Sequence, residues 1–514
     1  MQQDTTLLLN ETQLGIDSTT GNIIDVPMQQ VSDSLQQVVT NLQQTIGDSG
    51  STGNTGLIIA FIGLLIFAAH LFTEIFSRKR IPDVLLLMVI GLIIGPIFGW
   101  VKPSDLGSVA SIFTGVTLVI ILFQSGTELN FNTLLKSIRG TAKLTIINFI
   151  ITTIVVALLS WFIIHDFLAS LVLGAILGGT SSAVVIPLVG QLKISKKGGT
   201  ILILESAFSD VLCIVFALAF LQAVKGGGKM DIGNVLGGII SSFILATVIG
   251  VIAAILWSFV LERVRHVKNS ILTTPAFVFI VYGINEWLGF SGAIAALAFG
   301  IGMANIDSMY NRSAVFKKLF KNDEPTKLNE TEKQLFSEVV FLLKTFFFIY
   351  IGISMKFDQF TPIIIGLAIT VTLFALRIPT VMLSVRGKKD NIPPEDKVFM
   401  SSLVPKGLAA AVLATTAYTE MIKLALVFKE QALDSLRQGI ALSGETAVQL
   451  LEKGNQMEVA GEMIQSIVFA VILFSIIFTS VLVPVLEKDN AVSRFYKRCF
   501  GPKEKSIEEM LDNN

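Results

Sequence analysis

From Gly56 onward the sequence is a train of apolar runs, and nothing else in it constrains the fold as tightly. About 20 helical residues cross the roughly 30 Å hydrocarbon core of a bilayer. Thirteen runs are long enough: 57–76, 82–101, 108–128, 143–164, 167–191, 199–224, 233–261, 271–288, 290–306, 337–357, 361–384, 396–419 and 464–487. The narrowest gap falls at 289–290. The runs are continuously apolar, whereas the strands of a membrane barrel alternate, so helices are predicted. Hydrophobic residues make up 52% of the chain, charged residues 15%, and the mean hydropathy is +0.71. A water-soluble protein of this size carries more charge. The fold class expected is an all-α polytopic membrane protein.

The connections test the count. After every odd-numbered run comes a basic cluster: Arg78-Lys79-Arg80; Lys136 and Arg139; Lys193, Lys196 and Lys197; Arg263, Arg265 and Lys268; Lys317, Lys318 and Lys321; Arg386, Lys388 and Lys389; Arg494, Lys497 and Arg498. The even-numbered connections before the twelfth run, such as His165-Asp166, are short and poor in positive charge. Basic loops mark the cytoplasmic side, which puts the N-terminus outside and the C-terminus inside, in a plasma membrane. Residues 1–55 read as a polar outside extension; the first 50 carry Asp4, Glu11, Asp17, Asp25, Asp33 and Asp48 with no Lys or Arg. That start has no basic n-region, so no cleavable signal peptide is expected. Residues 420–463 read as an outside segment with amphipathic stretches, and 489–514 as a short charged cytoplasmic tail, too short for a nucleotide-binding domain.

Several function classes fall away. With 39 basic and 39 acidic residues the net charge is zero, which excludes bulk attraction to nucleic acid. Cys213 and Cys499 are too few for a disulfide framework or metal cage. The three histidines (His70, His165, His266) lie in different segments, so no resident metal or other cofactor is expected. Gly289-Phe290-Ser291-Gly292 spells the GxSG of intramembrane serine proteases, but the last histidine precedes it, and that chemistry needs a base downstream. An aspartyl protease would need a second membrane aspartate beside Asp210.

Four ionisable residues lie well inside the runs: Glu205 and Asp210 in the sixth, Lys344 in the tenth, Arg377 in the eleventh. A charge in lipid costs about 3 kcal/mol or more, so such groups face the protein interior or a watery path. Five residues along a helix turn roughly 140°, so Glu205 and Asp210 cannot share one site symmetrically. Ser206, one turn before Asp210, shares its face; Ser209 shares the face of Glu205. Arg377 cannot shed its charge and needs a permanent carboxylate. Glu205 is the expected partner, in a static staple between helices. Asp210 then has two readings: a second staple with Lys344, or a carboxylate open to ions. The open carboxylate is preferred, because a pair that never opens is a costly way to join two helices.

The fifth run is interrupted at Gly178-Gly179-Thr180-Ser181-Ser182, and the twelfth at Pro405-Lys406-Gly407. These are matching places in two sets of six runs, the pointer to an inverted-repeat transporter with its site at the midplane. Unwound carbonyls and the Thr180 and Ser181 hydroxyls can replace part of a cation's water shell. The plainer alternative is packing glycines and serines. The pairing favours broken helices.

Here the chain resembles the monovalent cation/proton antiporters of the NhaP/NHE-like branch. ESAFSDV in the sixth run is close to that family's E-S-x-x-N-D signature, and LFQSGTEL, KTFFFIYIGISM, LRIP and VPKGLAAAVLA follow family patterns in order across roughly 57–487. The resemblance implies thirteen helices in two inverted six-helix units with crossed broken helices 5 and 12, a homodimer, and elevator-like alternating access. It implies an essential aspartate at Asp210 and a Glu205–Arg377 pair. Ser209 stands where electroneutral relatives carry Asn and electrogenic ones Asp; Ser181 stands where many carry Asp; Lys344 matches a lysine of electrogenic relatives.

A charge count states the mechanism expected. With Glu205, Asp210, Lys344 and Arg377 ionised the cluster is neutral, and binding either Na⁺ or H⁺ at Asp210 takes it to +1. Equal charge in both loaded states suits one-for-one exchange; a titrating Lys344 would make it two protons per Na⁺. The transported metal ion expected at Asp210 is Na⁺ or Li⁺. The rivals are a K⁺/H⁺ exchanger or K⁺ efflux transporter and a Na⁺-coupled organic-anion symporter of related fold.

Overall fold

A computed structural model of the chain describes residues 63, 67, 82–129, 131–226, 232–265, 272–312, 325–357, 360–385, 392–437, 444–488 and 490–500. Apart from residues 63 and 67, both helical, the polar extension 1–55 and the first expected run lie outside them.

Among the described residues all regular structure is helical. In chain order the helices are α1 (Asp83–Leu92), continued by a π-turn at Ile93–Ile97, α2 (Pro103–Glu128), α3 (Phe131–Ile164), α4 (Phe167–Ile176), α5 (Ser182–Gln191), α6 (Lys196–Lys225), α7 (Ile232–Arg265), α8 (Thr273–Trp287), α9 (Gly292–Arg312), α10 (Glu330–Ser354), α11 (Phe360–Ser384), α12 (Pro394–Ser402), α13 (Leu408–Arg437), α14 (Gly444–Glu487) and α15 (Ala491–Phe500). Among the described residues eight segments have the length and hydropathy to cross a membrane. Each expected run from 82 to 487 falls on helix, and the narrow gap at 289–290 is a turn with Gly289 at φ 79°.

Local sequence sets the helix ends. Asn329-Glu330-Thr331-Glu332 closes a capping box at the start of α10: Glu332 N donates to Asn329 Oδ1 and Asn329 N to Glu332 Oε2, both at 2.7 Å. Asp166 caps α4 by accepting from Ala169 N at 2.7 Å. Pro96, which has no N–H to give, sits in the π-turn that ends α1.

The described residues divide into two compact units, a smaller one of 104–111 and Tyr418–Glu462, and a larger one holding the remainder. In the smaller, the segment expected to be amphipathic is helical on both sides of 438–443, as parts of α13 and α14. Lys429, buried, bonds Glu458 there at 2.6 Å.

In the larger unit small residues let helix backbones touch, the usual substitute for a hydrophobic driving force in lipid. α1 meets α10 at Gly91 and Gly352: a Cβ on Gly352 would collide with the Met88 carbonyl and the Gly91 Cα. Gly352→Val should therefore lower the melting temperature in detergent, at a cost of about 2 kcal/mol or more. Gly283→Val on α8, where a Cβ meets nothing, should leave it unchanged; equal melting of the two variants would refute the tight crossing.

Exposed aromatic residues gather at particular helix ends: Phe98 and Trp100 after α1, Trp161 and Phe162 at the end of α3, Trp287 at the end of α8, Phe360 at the start of α11. Exposed Phe259 and Phe495 lie near helix ends of the opposite side, and aromatic rings favour both membrane–water interfaces.

Candidate functional site

The fifth and twelfth runs are both broken. Helix stops at Ile176 and resumes at Ser182; it stops again at Ser402 and resumes at Leu408. Breaking a helix in lipid bares backbone groups that need partners, and the two breaks supply many of them to each other. Ser181 N donates to Pro405 O at 2.7 Å. Lys406 Nζ, on a side chain 1% exposed, donates to Gly179 O at 2.6 Å. Thr180 N donates to Ser209 Oγ at 3.0 Å and Lys406 N to Ser475 Oγ at 2.9 Å. Gly407 lies so close that a Cβ there would collide with the Ser181 hydroxyl. Gly179, Pro405, Lys406 and Gly407 thus share one crossing.

Asp210 on α6 faces this crossing. It lines a small cavity, large enough for a water-sized particle, together with Gly179, Thr180, Ser181, Cys213 and Gly407. Its carboxylate accepts a hydrogen bond from Ser182 Oγ at 3.0 Å. Asp210 is half-buried, and among the described residues no basic side chain forms an ion pair with it. The charges of Glu128, an exposed residue at the end of α2, and of Lys406 both reach it. Ser206 is placed otherwise than its helical position suggests: buried, its hydroxyl donates to Ile203 O at 2.9 Å.

Glu205 has the opposite environment. It and Arg377 are each 1% exposed. Arg377 donates through Nη1 and Nη2 to the two carboxylate oxygens, the latter at 2.6 Å, and through Nε to Met400 O at 2.9 Å. The bidentate fork suits a guanidinium and fixes α11, α6 and α12 to one another.

Lys344 is a correction. Its ammonium bonds Asp83 Oδ2 at 2.7 Å and lies over the Phe341 ring, so its pairing joins α10 to α1 rather than to Asp210. The lysine whose charge meets those of Glu205, Asp210 and Arg377 is Lys406. Replacing Lys344 by Lys406 leaves the four-charge sum at zero.

A model of the family described as sodium/hydrogen exchanger, transmembrane, matches residues 57–488. The chain belongs to the sodium/hydrogen exchanger family. It is 25% identical over 387 residues to Na(+)/H(+) antiporter 1 of Methanocaldococcus jannaschii, covering 71% of this chain and 84% of the relative. It is 24% identical over 385 residues to that organism's probable Na(+)/H(+) antiporter 2, covering 72% and 86%. In fold it resembles the solved structure of the sodium–proton antiporter MjNhaP1 at pH 8, with a TM-score of 0.62 at 21% identity, over 84% of this chain and all of that one. This exchanger is thus a polytopic integral membrane protein and a secondary transporter, not an enzyme.

Four parts of the exchanger's site escaped sequence reasoning. Ser182 and Ser209 bond across the break, where helical periodicity no longer says which residues share a face. Glu128 lay in a quoted segment without a role. The far ends of α6 and α12 are also tied: Asp396 accepts from Ser195 N at 3.0 Å and from the Ser195 hydroxyl, while Ser195 Oγ caps α6 by accepting from Gly198 N at 3.1 Å. The helix bearing Asp210 and the broken helix leading to Lys406 are therefore pinned together at their starts as well as near their middles.

Proposed function

We propose that this chain exchanges Na⁺, or Li⁺, for H⁺ by alternating access, with cation and proton competing for Asp210. The observation that carries the reading is the contrast between two carboxylates five residues apart. Glu205 is sealed by a bidentate arginine; Asp210 borders a cavity and is held by a hydroxyl, a partner it can exchange for a cation. A partly dehydrated Na⁺ needs several oxygens, and Thr180, Ser181 and the carbonyls freed at the break stand on the same cavity. Ser206 contributes by its place one turn below Asp210 rather than as a donor.

With Lys406 charged throughout, proton-loaded and sodium-loaded states carry equal charge and the cycle is one for one. Lys406 is the group on which stoichiometry turns, in the role first given to Lys344. The reading includes thirteen spans in two inverted six-helix units, a homodimer, a plasma membrane location, and an N-terminus outside with the C-terminus in the cytoplasm.

The test is proton movement in proteoliposomes, reported by a pH-sensitive dye, on adding Na⁺, Li⁺ or K⁺. Na⁺ and Li⁺ should each release protons. Competition fixes the sign of the pH effect: protons occupy Asp210 as pH falls, so the apparent cation KM should rise, approaching about tenfold per unit at the acid end. A KM independent of pH would refute competition. Response to K⁺ alone would reassign the cation, and silence towards all three would remove exchange.

A further inference from the structure

The residues after the last span were expected to be a charged tail, but Ala491–Phe500 form a helix with two unlike halves. At about 100° per residue, Ala491, Val492, Phe495, Tyr496, Cys499 and Phe500 occupy one half of its surface, and Arg494, Lys497 and Arg498 lie in the other. No acidic residue interrupts it.

Its position is fixed at both sides. Asn490 forms a rigid elbow with α14: its side chain accepts from Ser493 N at 2.8 Å and donates to Val485 O at 2.7 Å, while Arg494 N donates to Asn490 O at 2.9 Å. Ser493 and Tyr496 are buried, and α15 packs against α12. Part of the apolar half stays open: Val492 is 41% exposed and Phe495 57%, whereas Cys499 and Phe500 are half-buried.

Two observations choose what covers it. The elbow at Asn490 follows the longest apolar helix among the described residues, so α15 starts where the chain leaves the hydrocarbon. Beside the bare apolar strip stand the exposed Arg494 and Arg498, and α15 itself carries no acidic residue, which complements anionic headgroups above an acyl layer.

We infer that α15 is a binding site for anionic lipid of the leaflet at which α14 ends. Phe495 and Val492 enter the acyl region, and Arg494 and Arg498 take the headgroup phosphates. Because α15 packs against α12, lipid held there also steadies the half-helix that leads to Lys406. Anionic lipid is thereby a regulator of exchange.

The test uses the full chain in nanodiscs of phosphatidylcholine alone or with about one-third phosphatidylglycerol. Amide hydrogen exchange at 491–500 should slow about tenfold with the anionic lipid, each arginine near such a surface being worth roughly fivefold. Arg494→Gln with Arg498→Gln, both exposed positions, should remove that difference, and Phe495→Ser should lower protection in both discs. In matching proteoliposomes, Na⁺-driven proton release by the wild type should be several-fold faster with phosphatidylglycerol, and by the double variant indifferent to it. Equal protection in both discs overturns the site. Protection that persists undiminished in detergent also overturns it, because it marks a protein contact such as a second copy. The amide measurement is independent of transport, so failure of the exchange reading leaves it intact.

Discussion

Asp210→Asn should abolish cation-driven proton release while leaving the fold intact. The substitution keeps an oxygen for the Ser182 hydroxyl to donate to, and the cavity between the breaks keeps its shape. What it removes is the charge. A unit charge about 3 Å from a monovalent cation is worth about 5 kcal/mol at an effective dielectric near 20, so cation affinity should fall by roughly four orders of magnitude. Proton binding goes with it, since the amide does not titrate. Melting in detergent should be no lower than wild type, because the variant deletes a charge that is half-buried without an ionic partner. Activity near the wild-type rate would strip Asp210 of its role. A variant that is inactive but also unfolds early would mean that the carboxylate is structural. Glu128→Gln offers a graded comparison: its charge reaches Asp210 from an exposed position, so its effect should be a modest rise in cation KM.

What could be read from the sequence was what depends on local chemistry or on a charge that cannot be shed. The breaks were legible because Gly178-Gly179 and Pro405 are poor helix residues, and because they recur at matching places. Glu205–Arg377 was legible because a guanidinium in lipid demands a permanent carboxylate. Lys344 went wrong for the complementary reason. Asp83 stands at the edge of the run 82–101, so it was not among the ionisable residues lying well inside the runs, and Lys344 was grouped with the carboxylates that were. Lys406 had been read as part of a break. Its bond to Gly179 O exists only because the two breaks cross, which no one-dimensional pattern encodes. Ser206 shows the limit of angular reasoning: a serine one turn away has the right azimuth, yet in a helix its hydroxyl can bond back to its own backbone. α15 escaped because ten residues of mixed composition after a span read as a solvated tail.

Arg377→Met should be the most destabilising single substitution at this site, by about 3–5 kcal/mol, because it leaves Glu205 charged, buried and alone. Glu205→Leu should cost a similar amount by stranding the guanidinium. The double variant is expected to be more stable than either single one, since a buried pair replaced by apolar groups loses its Coulomb attraction and its desolvation cost together. Thermal or denaturant unfolding of all four proteins completes a double-mutant cycle, in which a coupling of several kcal/mol is expected and near-additivity would refute the staple. Arg377→Lys should fall between, keeping the charge but losing the fork and the bond to Met400 O. That third bond separates this prediction from simple instability. Met400 lies in the last turn of α12, just ahead of the break that carries Lys406. Loosening it should shift the crossing that borders Asp210, so the folded fraction of Arg377→Lys should show a raised cation KM. An unchanged KM in that fraction would confine Arg377 to holding the helices together.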